Sequence, residues 1–249
     1  MLSLLKLWLL AWLPLAPTAP LDQHPLLPLP HLEPTSSSQA RALSPDPSTL
    51  QRPPWIDPRS NGGSLLNRNL WGAGEPLNVI LSAHSSPDIL RETGLVAYLR
   101  SLGLWEECAR LHFGDPQEAN LGDGKGWERE LFLVRESRWP YVGACLESVT
   151  GGNHARVYKQ NGTEADSGAW FLAASKEVDW RRHHKIAHDG YNVGRDLLVE
   201  KATSGSHYLG RSWEATVEWV EGLLEPGNRG IAHGIPQDGR VAVLTVTEY

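Results

Sequence analysis

The chain has 249 residues, 41% of them hydrophobic and 21% charged, which is enough for one good-sized domain with extensions. Its 29 acidic residues outnumber its 23 Lys and Arg residues, and the formal net charge is −6. Because no long Lys/Arg run offsets this balance, nucleic acid is excluded as an expected partner.

Residues 1–19 have the pattern of a secretory signal. A short apolar core, Leu7–Leu13, is followed by small residues at Ala16 and Ala19. The apolar run is too short to cross a hydrocarbon core of about 30 Å as a helix, so no transmembrane span is expected beyond this segment. Pro20 disfavours cleavage directly before it. The sequence therefore predicts a secreted protein, with an uncleaved N-terminal membrane anchor as the alternative.

Two further features agree with export. Asn161 heads the only Asn-x-Ser/Thr site of the chain and is the predicted glycosylation site. Cys108 and Cys145 are the only cysteines. A disulfide between them would contribute about 3–4 kcal/mol in the chain-entropy model. A pair of small buried thiols is an equally good interpretation.

Residues 20–70 are rich in Pro and Ser, which remove backbone donors and disfavour regular structure. They are predicted to form a disordered stalk. The folded domain is then expected to span residues 71–249.

Within that domain, residues 77–82 predict a strand. Ser85 and Ser86, followed by Pro87 and Asp88, predict the start of a helix that runs to about residue 102.

Strands are expected next at 130–136, 154–160 and 169–179, the last two forming a hairpin with a long exposed loop. Residues 171–174 are apolar on both faces, so the strand that contains them is expected to be central.

The C-terminal part predicts two helices and a strand. The helices are expected at 192–203, capped by Asn192, and at 211–224, and the strand at 238–249. Strands and helices mix without a regular βαβ repeat. This order predicts an α+β fold with a single mixed or antiparallel sheet and helices packed on it.

The polar residues are concentrated in the segment RRHHKIAHDGYNVGRD, residues 181–196. His154, at the start of the hairpin, reaches this segment if its strand lies beside residues 182–187. The glycine loop GDGKGW at 122–127 lacks the features of a phosphate loop or a calcium loop and is interpreted as a plain loop.

Four stretches together carry a family resemblance: GGNHARVYKQ, GAWFLAASKEVD, HHKIAHDGYNVGRDLLVEKAT and the closing DGRVAVLTV. Over residues 77–249 the chain resembles the LssY C-terminal domain family. The residues that fall on the family's polar or apolar motif positions are His154, Arg156, His184, Ile186, Asp189, Arg195 and Asp196. Ala187-His188 replaces the family's Asp-Pro, and the stretch to Arg195 is one residue longer. The resemblance implies a shared polar site but no particular reaction.

Three hypotheses for the site stay open. In the first, a pocket binds a small anionic molecule through its histidine and arginine side chains. The predicted ligand-binding residues are His154, Arg156, His184, Asp189, Arg195 and Asp196.

The second hypothesis is a hydrolase. Zinc would be held by His154, His184 and either His188 or Asp189. Without a metal, His184 would act as a general base oriented by Asp189.

The third hypothesis is structural. Arg195 would pair with Asp189 and brace the helix against the hairpin, and Asp196 would favour the helix start. Only the zinc version of the second hypothesis requires a cofactor, so none is expected otherwise, and none of the three predicts an oligomeric state.

Overall fold

The computed structural model describes residues 52–106, 116–137, 151–179 and 185–249. All of them belong to the compact unit Ala40–Tyr249. The strands of this part are β1 Val79–Leu81, β2 Leu104–Glu106, β3 Glu118–Ala119, β4 Glu128–Arg129, β5 Phe132–Glu136, β6 Asn153–Lys159, β7 Trp170–Lys176, β8 Ser206–Tyr208, β9 Arg211–Val220 and β10 Val241–Glu248. The helices are α1 Glu92–Ser101 and α2 Gly190–Thr203, and short 3₁₀ turns lie at Pro58–Asn61 and Ala232–Gly234.

Eight strands form a mixed sheet in the order β2-β5-β6-β7-β1-β10-β9-β8. Strands β1 and β10 pair in parallel, and the other neighbours are antiparallel. The predicted α+β class is confirmed in this coarse form. The predicted single sheet is incomplete, because β3 and β4 pair with each other in a separate two-stranded ribbon.

The two faces of the large sheet carry different cores. Successive side chains of β7 point to opposite faces of the sheet. One apolar cluster therefore contains Trp170, Leu172 and Ala174, and the other contains Phe171 and Ala173. The first cluster includes apolar side chains of both helices, so we call this side the helix face. The second is covered by apolar residues of irregular segments, and we call it the loop face. The prediction that this strand is central and covered on both sides is confirmed.

The predicted helix of residues 86–102 begins later, at Glu92. The hydroxyls of Ser85 and Ser86 accept hydrogen bonds from backbone N–H groups of β10, at 3.0 and 2.9 Å, instead of capping a helix. The serines therefore tie the last strand to the segment that follows β1.

The predicted helix of residues 211–224 is wrong, because this segment forms strand β9 and a turn. Its side chains alternate between buried Trp213 and Ala215 and exposed Glu214 and Thr216. One face of β9 thus packs on the core while the other meets solvent, and that period of two belongs to a half-buried strand.

Residues 52–70, placed in the stalk from sequence, pack on the domain. Leu65 is buried in the core of the loop face. The Gln160 side chain accepts a hydrogen bond from the Ile56 N–H at 3.0 Å and donates one to the Ile56 carbonyl at 2.9 Å. The domain therefore begins earlier than its proline content indicates, whereas residues 1–51 lie outside the described part.

Neither α1 nor α2 is long and apolar enough to cross a membrane, and no other described segment forms such a helix.

Candidate functional site

His154 and Arg156 lie on β6 and project from the loop face of the sheet. They alternate with Ala155 and Val157, which belong to the helix-face core, and they share the side of Tyr158, which belongs to the loop-face core. Both side chains are almost completely buried. The strand register thus places two ionisable groups inside the protein.

These two side chains belong to a buried set of charged groups that we call the ion network, formed by Glu75, Glu130, Arg135, His154, Arg156 and Glu177. Arg156 Nη1 donates to Glu130 Oε1 at 2.6 Å, and its Nε lies 3.6 Å from Glu75 Oε2. Arg135 Nη1 lies 2.6 Å from Glu177 Oε2.

The imidazole of His154 lies between two of these carboxylates. Its Nδ1 is 3.5 Å from Glu177 Oε1, and its Nε2 is 3.9 Å from Glu75 Oε2. Three carboxylates therefore face two guanidinium groups and one imidazole in a region from which water is largely excluded.

Glu75 shows the electrostatic effect of the network. Burial alone would raise the pKa of its carboxyl group. The neighbouring His154 ring and the Arg156 charge outweigh burial and lower that pKa from 4.5 to about 2. Glu75 is therefore ionised at neutral pH, and the network holds it in that form.

Ser175 lies beside the ion network and forms with two of its members a row that has the composition of a nucleophile, a base and a carboxylate. Ser175 Oγ lies 3.1 Å from His154 Nε2, and His154 Nδ1 faces Glu177. Ser175 is 0% exposed and His154 only 2%. An acyl carbon cannot approach Ser175 Oγ in this conformation, and attack requires such an approach. The row is therefore structural.

Arg195 lies elsewhere, on the helix face. It belongs to α2, which packs on that face, and its guanidinium lies 5.0 Å from the centre of the Trp219 ring. Its Nη1 and Nη2 donate to the two carboxylate oxygens of Asp238 at 2.6 and 2.9 Å, and its Nε donates to Asp196 at 2.8 Å. Arg195 thus ties α2 to the turn that precedes β10.

The structure therefore separates the residues that the sequence assigned to one pocket. His154 and Arg156 lie on the loop face, whereas Arg195 lies on the helix face, because the alternating side chains of β6 put the first pair on the side opposite α2. His154 and Arg195 thus do not line one pocket, and each of them faces acidic side chains on its own side of the sheet.

The other predicted site residues near α2 have local roles. Asp189 occupies the N-cap position with a left-handed backbone, and its Oδ1 accepts a hydrogen bond from Asn192 Nδ2 at 2.6 Å. The predicted pairing of Arg195 with Asp189 is wrong, because Asp238 takes that place. Asp196 is 56% exposed.

The predicted zinc ligands differ in environment. His154 is buried, whereas His188 is exposed. Among the described residues, no group of three or more His, Cys, Asp or Glu side chains is arranged to hold a metal ion. His184, the third predicted ligand and candidate base, lies outside the described residues, as do Cys108 and Cys145.

A recess of about 380 Å³ lies on the surface between the β3–β4 ribbon and the end of β6. Its wall includes the side chains of Lys125, Trp127, Arg129 and Tyr158. Asn161, the predicted glycosylation site, is exposed and lies at the same recess. Lys125 Nζ donates to Asn161 Oδ1 at 2.7 Å, which joins the glycine loop to the β6–β7 connection.

The charges of the recess are incompletely balanced. Asp123 is buried and accepts hydrogen bonds from the backbone N–H groups of Lys125 and Asn161. Glu128 lies 3.4 Å from Lys125 Nζ. Arg129 is exposed, and no ion pair or side-chain hydrogen bond involves it within the described part of the chain. An unneutralised guanidinium thus borders a partly aromatic hollow.

Sequence reasoning passed over this recess because it tested the GDGKGW loop only against phosphate and calcium motifs. The available signal was the succession of Lys125, Trp127 and Arg129, in which cations alternate with an aromatic residue.

Comparison of the chain with protein-family models, with curated proteins and with solved structures gave no match.

Proposed function

We propose that the chain is an exported domain that binds a small anionic molecule, and that the ligand occupies the recess beside Trp127. The observation that carries the proposal is the exposed Arg129 guanidinium at a hollow that also offers an indole ring. An anionic group would pair with Arg129, and an apolar part of the ligand would pack on Trp127.

The ion network and Arg195 are poorer anion sites than the recess. The guanidinium groups of Arg156 and Arg195 already face two carboxylates each. An incoming anion would have to displace a carboxylate from each of them, and at Arg156 the displaced carboxylate is buried and would lose its partner. We infer that these groups stabilise the fold and that ligand binding belongs to the surface recess.

The wider assignment rests on sequence features. We propose that the domain is an LssY C-terminal-like domain, on the basis of the motifs around His154 and Arg195. Export is supported by the signal-like residues 1–19, with membrane anchoring by the same segment as the alternative. Asn161 is proposed as a glycosylated residue, and its exposed position in the β6–β7 connection supports this assignment.

Isothermal titration calorimetry of the secreted full chain tests the proposal, with glycerol 3-phosphate and benzoate as anionic probes. Glycerol and benzyl alcohol are their uncharged counterparts. We expect saturable binding of at least one anion, weakened by added salt because the site is open to solvent. Repeating the titration after enzymatic deglycosylation shows whether a sugar on Asn161 narrows the recess.

Arg129→Met is the decisive variant. A charge-assisted hydrogen bond contributes about 1.5–3 kcal/mol, so we expect affinity to fall by about 10- to 100-fold. Lys185→Met, which removes another exposed cation, is the matched control and should leave affinity unchanged. Equal binding by the Arg129 variant and the unmodified chain, or no anion binding at all, would refute the proposal.

A further inference from the structure

Leu70 and Trp71 lie at the tip of a tight turn and project into solvent. Their side chains are 76% and 86% exposed, which is unusual for adjacent large apolar residues. The turn is held by its own hydrogen bonds. The Gly72 N–H donates to the Asn69 carbonyl at 3.1 Å, and the Trp71 N–H donates to Asn69 Oδ1 at 2.9 Å. The apolar tip is therefore presented in a defined conformation.

The stem of this turn is anchored in the buried polar groups of the loop face. Asn67 Nδ2 donates to the Tyr158 hydroxyl at 3.1 Å, and Asn67 Oδ1 accepts from the Glu75 N–H at 2.6 Å. The Glu75 carboxylate belongs to the ion network. The base of the turn is thus joined to the ion network through Asn67 and Glu75.

Arg68 connects the turn to the recess. Its guanidinium stacks 4.1 Å from the centre of the Trp127 ring, and Trp127 lines the recess. Leu131, which is 54% exposed, lines the same recess. The apolar tip, the Arg68 guanidinium and the recess thus form one continuous surface, which we call the tip–recess surface.

The charges of this surface contrast with the rest of the chain. Arg68 pairs with Glu118 and Lys125 pairs with Glu128, whereas Asp123 is buried. Arg129 is therefore the exposed charge of this surface that has no ion-pair partner among the described residues. The unpaired exposed charge of this surface is thus positive, in a chain with a formal net charge of −6. Cationic and apolar groups side by side complement the anionic headgroups and acyl interface of a bilayer.

We propose that the tip–recess surface docks on an anionic phospholipid bilayer, with Leu70 and Trp71 inserted at the interface and a headgroup phosphate at Arg129. Trp partitions favourably at membrane interfaces, where its ring is partly buried and its N–H stays hydrated. A convex tip suits a fluid interface better than a rigid protein groove. This inference rests on the proposed function, since the headgroup is its anionic ligand.

Vesicle sedimentation with the secreted full chain tests the proposal. We expect binding to vesicles of phosphatidylcholine with phosphatidylserine, and weaker binding to phosphatidylcholine alone. Leu70→Ser combined with Trp71→Ser should weaken vesicle binding by at least about tenfold, because two large apolar side chains no longer leave water. Leu209→Ser is the matched control, since Leu209 is 81% exposed on a different turn, and it should bind as the unmodified chain does.

Soluble glycerol 3-phosphate separates this inference from the proposed function. The Leu70/Trp71 variant should bind it with unchanged affinity in calorimetry, which also shows that the variant is folded. Soluble anion binding without vesicle binding would overturn the bilayer proposal and leave the anion site standing. The bilayer proposal would also be overturned if the Leu209 variant lost as much vesicle binding as the Leu70/Trp71 variant, or if the Leu70/Trp71 variant bound vesicles as the unmodified chain does. Failure of both anion and vesicle binding would refute both proposals.

Discussion

Replacing Glu75 by Gln removes one carboxylate from the ion network and leaves its shape nearly unchanged. In the folded protein the pKa of Glu75 is lowered from 4.5 to about 2. Each unit corresponds to 1.36 kcal/mol, so the ionised carboxylate stabilises the fold by about 3 kcal/mol relative to a neutral group. Because Glu75 is buried, little of this energy is screened by water. We therefore expect Glu75→Gln to lower the free energy of unfolding by about 3 kcal/mol near neutral pH.

The pH dependence follows from the direction of the shift. A carboxyl group with a depressed pKa in the folded state contributes stability above its unfolded pKa, and that contribution disappears as pH falls towards the folded value. The difference between the unmodified chain and the variant should be constant above about pH 5, shrink below pH 4.5 and vanish near pH 2. Urea unfolding followed by tryptophan fluorescence at a series of pH values measures it.

Glu118→Gln is the control for a carboxylate at the surface. Glu118 pairs with Arg68 at 2.8 Å, and both side chains are about one-third exposed or more. This change should cost less than about 1 kcal/mol. The electrostatic argument for Glu75 is refuted if its variant loses no more stability than this control, or if its loss is the same at pH 3 and pH 7.

Three further changes test the packing around α2. Gly194→Ala should lower the free energy of unfolding by about 3 kcal/mol in urea titrations, because a Cβ there would overlap the backbone of Ser175. Arg195→Lys should lower the free energy of unfolding by about 2 kcal/mol in the same assay, since an ammonium group cannot form the bidentate hydrogen bonds with Asp238. Asn78→Ala should cost about 2 kcal/mol and speed hydrogen exchange at the Ala174 amide, which loses its acceptor. An unchanged denaturation midpoint in any of these variants would contradict the corresponding contact.

Local patterns predicted most of the regular elements. The strands β6 and β7 and the helix α2 were predicted within a few residues, because each carries a clear apolar period and a turn or cap at its end. Strand β9 was missed because Trp213, Val217, Val220 and Leu224 also fit the spacing of a helix. The alternation of Glu214 and Glu218 with apolar residues was the better signal.

The site was harder to predict, since it depends on contacts between distant segments. Arg195 has Asp238 as its main partner, 43 residues away, whereas sequence proximity favoured Asp189. The partners of His154 include Glu75, which stands in a segment without a recognisable motif. The register of a strand decides which face of the sheet each side chain occupies. A shift of one residue would move every side chain of the strand to the opposite face.

The position of β10 constrains how the protein can be made. This strand is the last in the sequence, yet it fills an interior place between β1 and β9. During synthesis almost the whole domain must emerge before β10, the parallel neighbour of β1, exists. Until then β1 and β9 each have one unpaired, apolar edge. Truncation within β10 would therefore split the sheet in two, and a nascent chain that stalls there would be a substrate for chaperones.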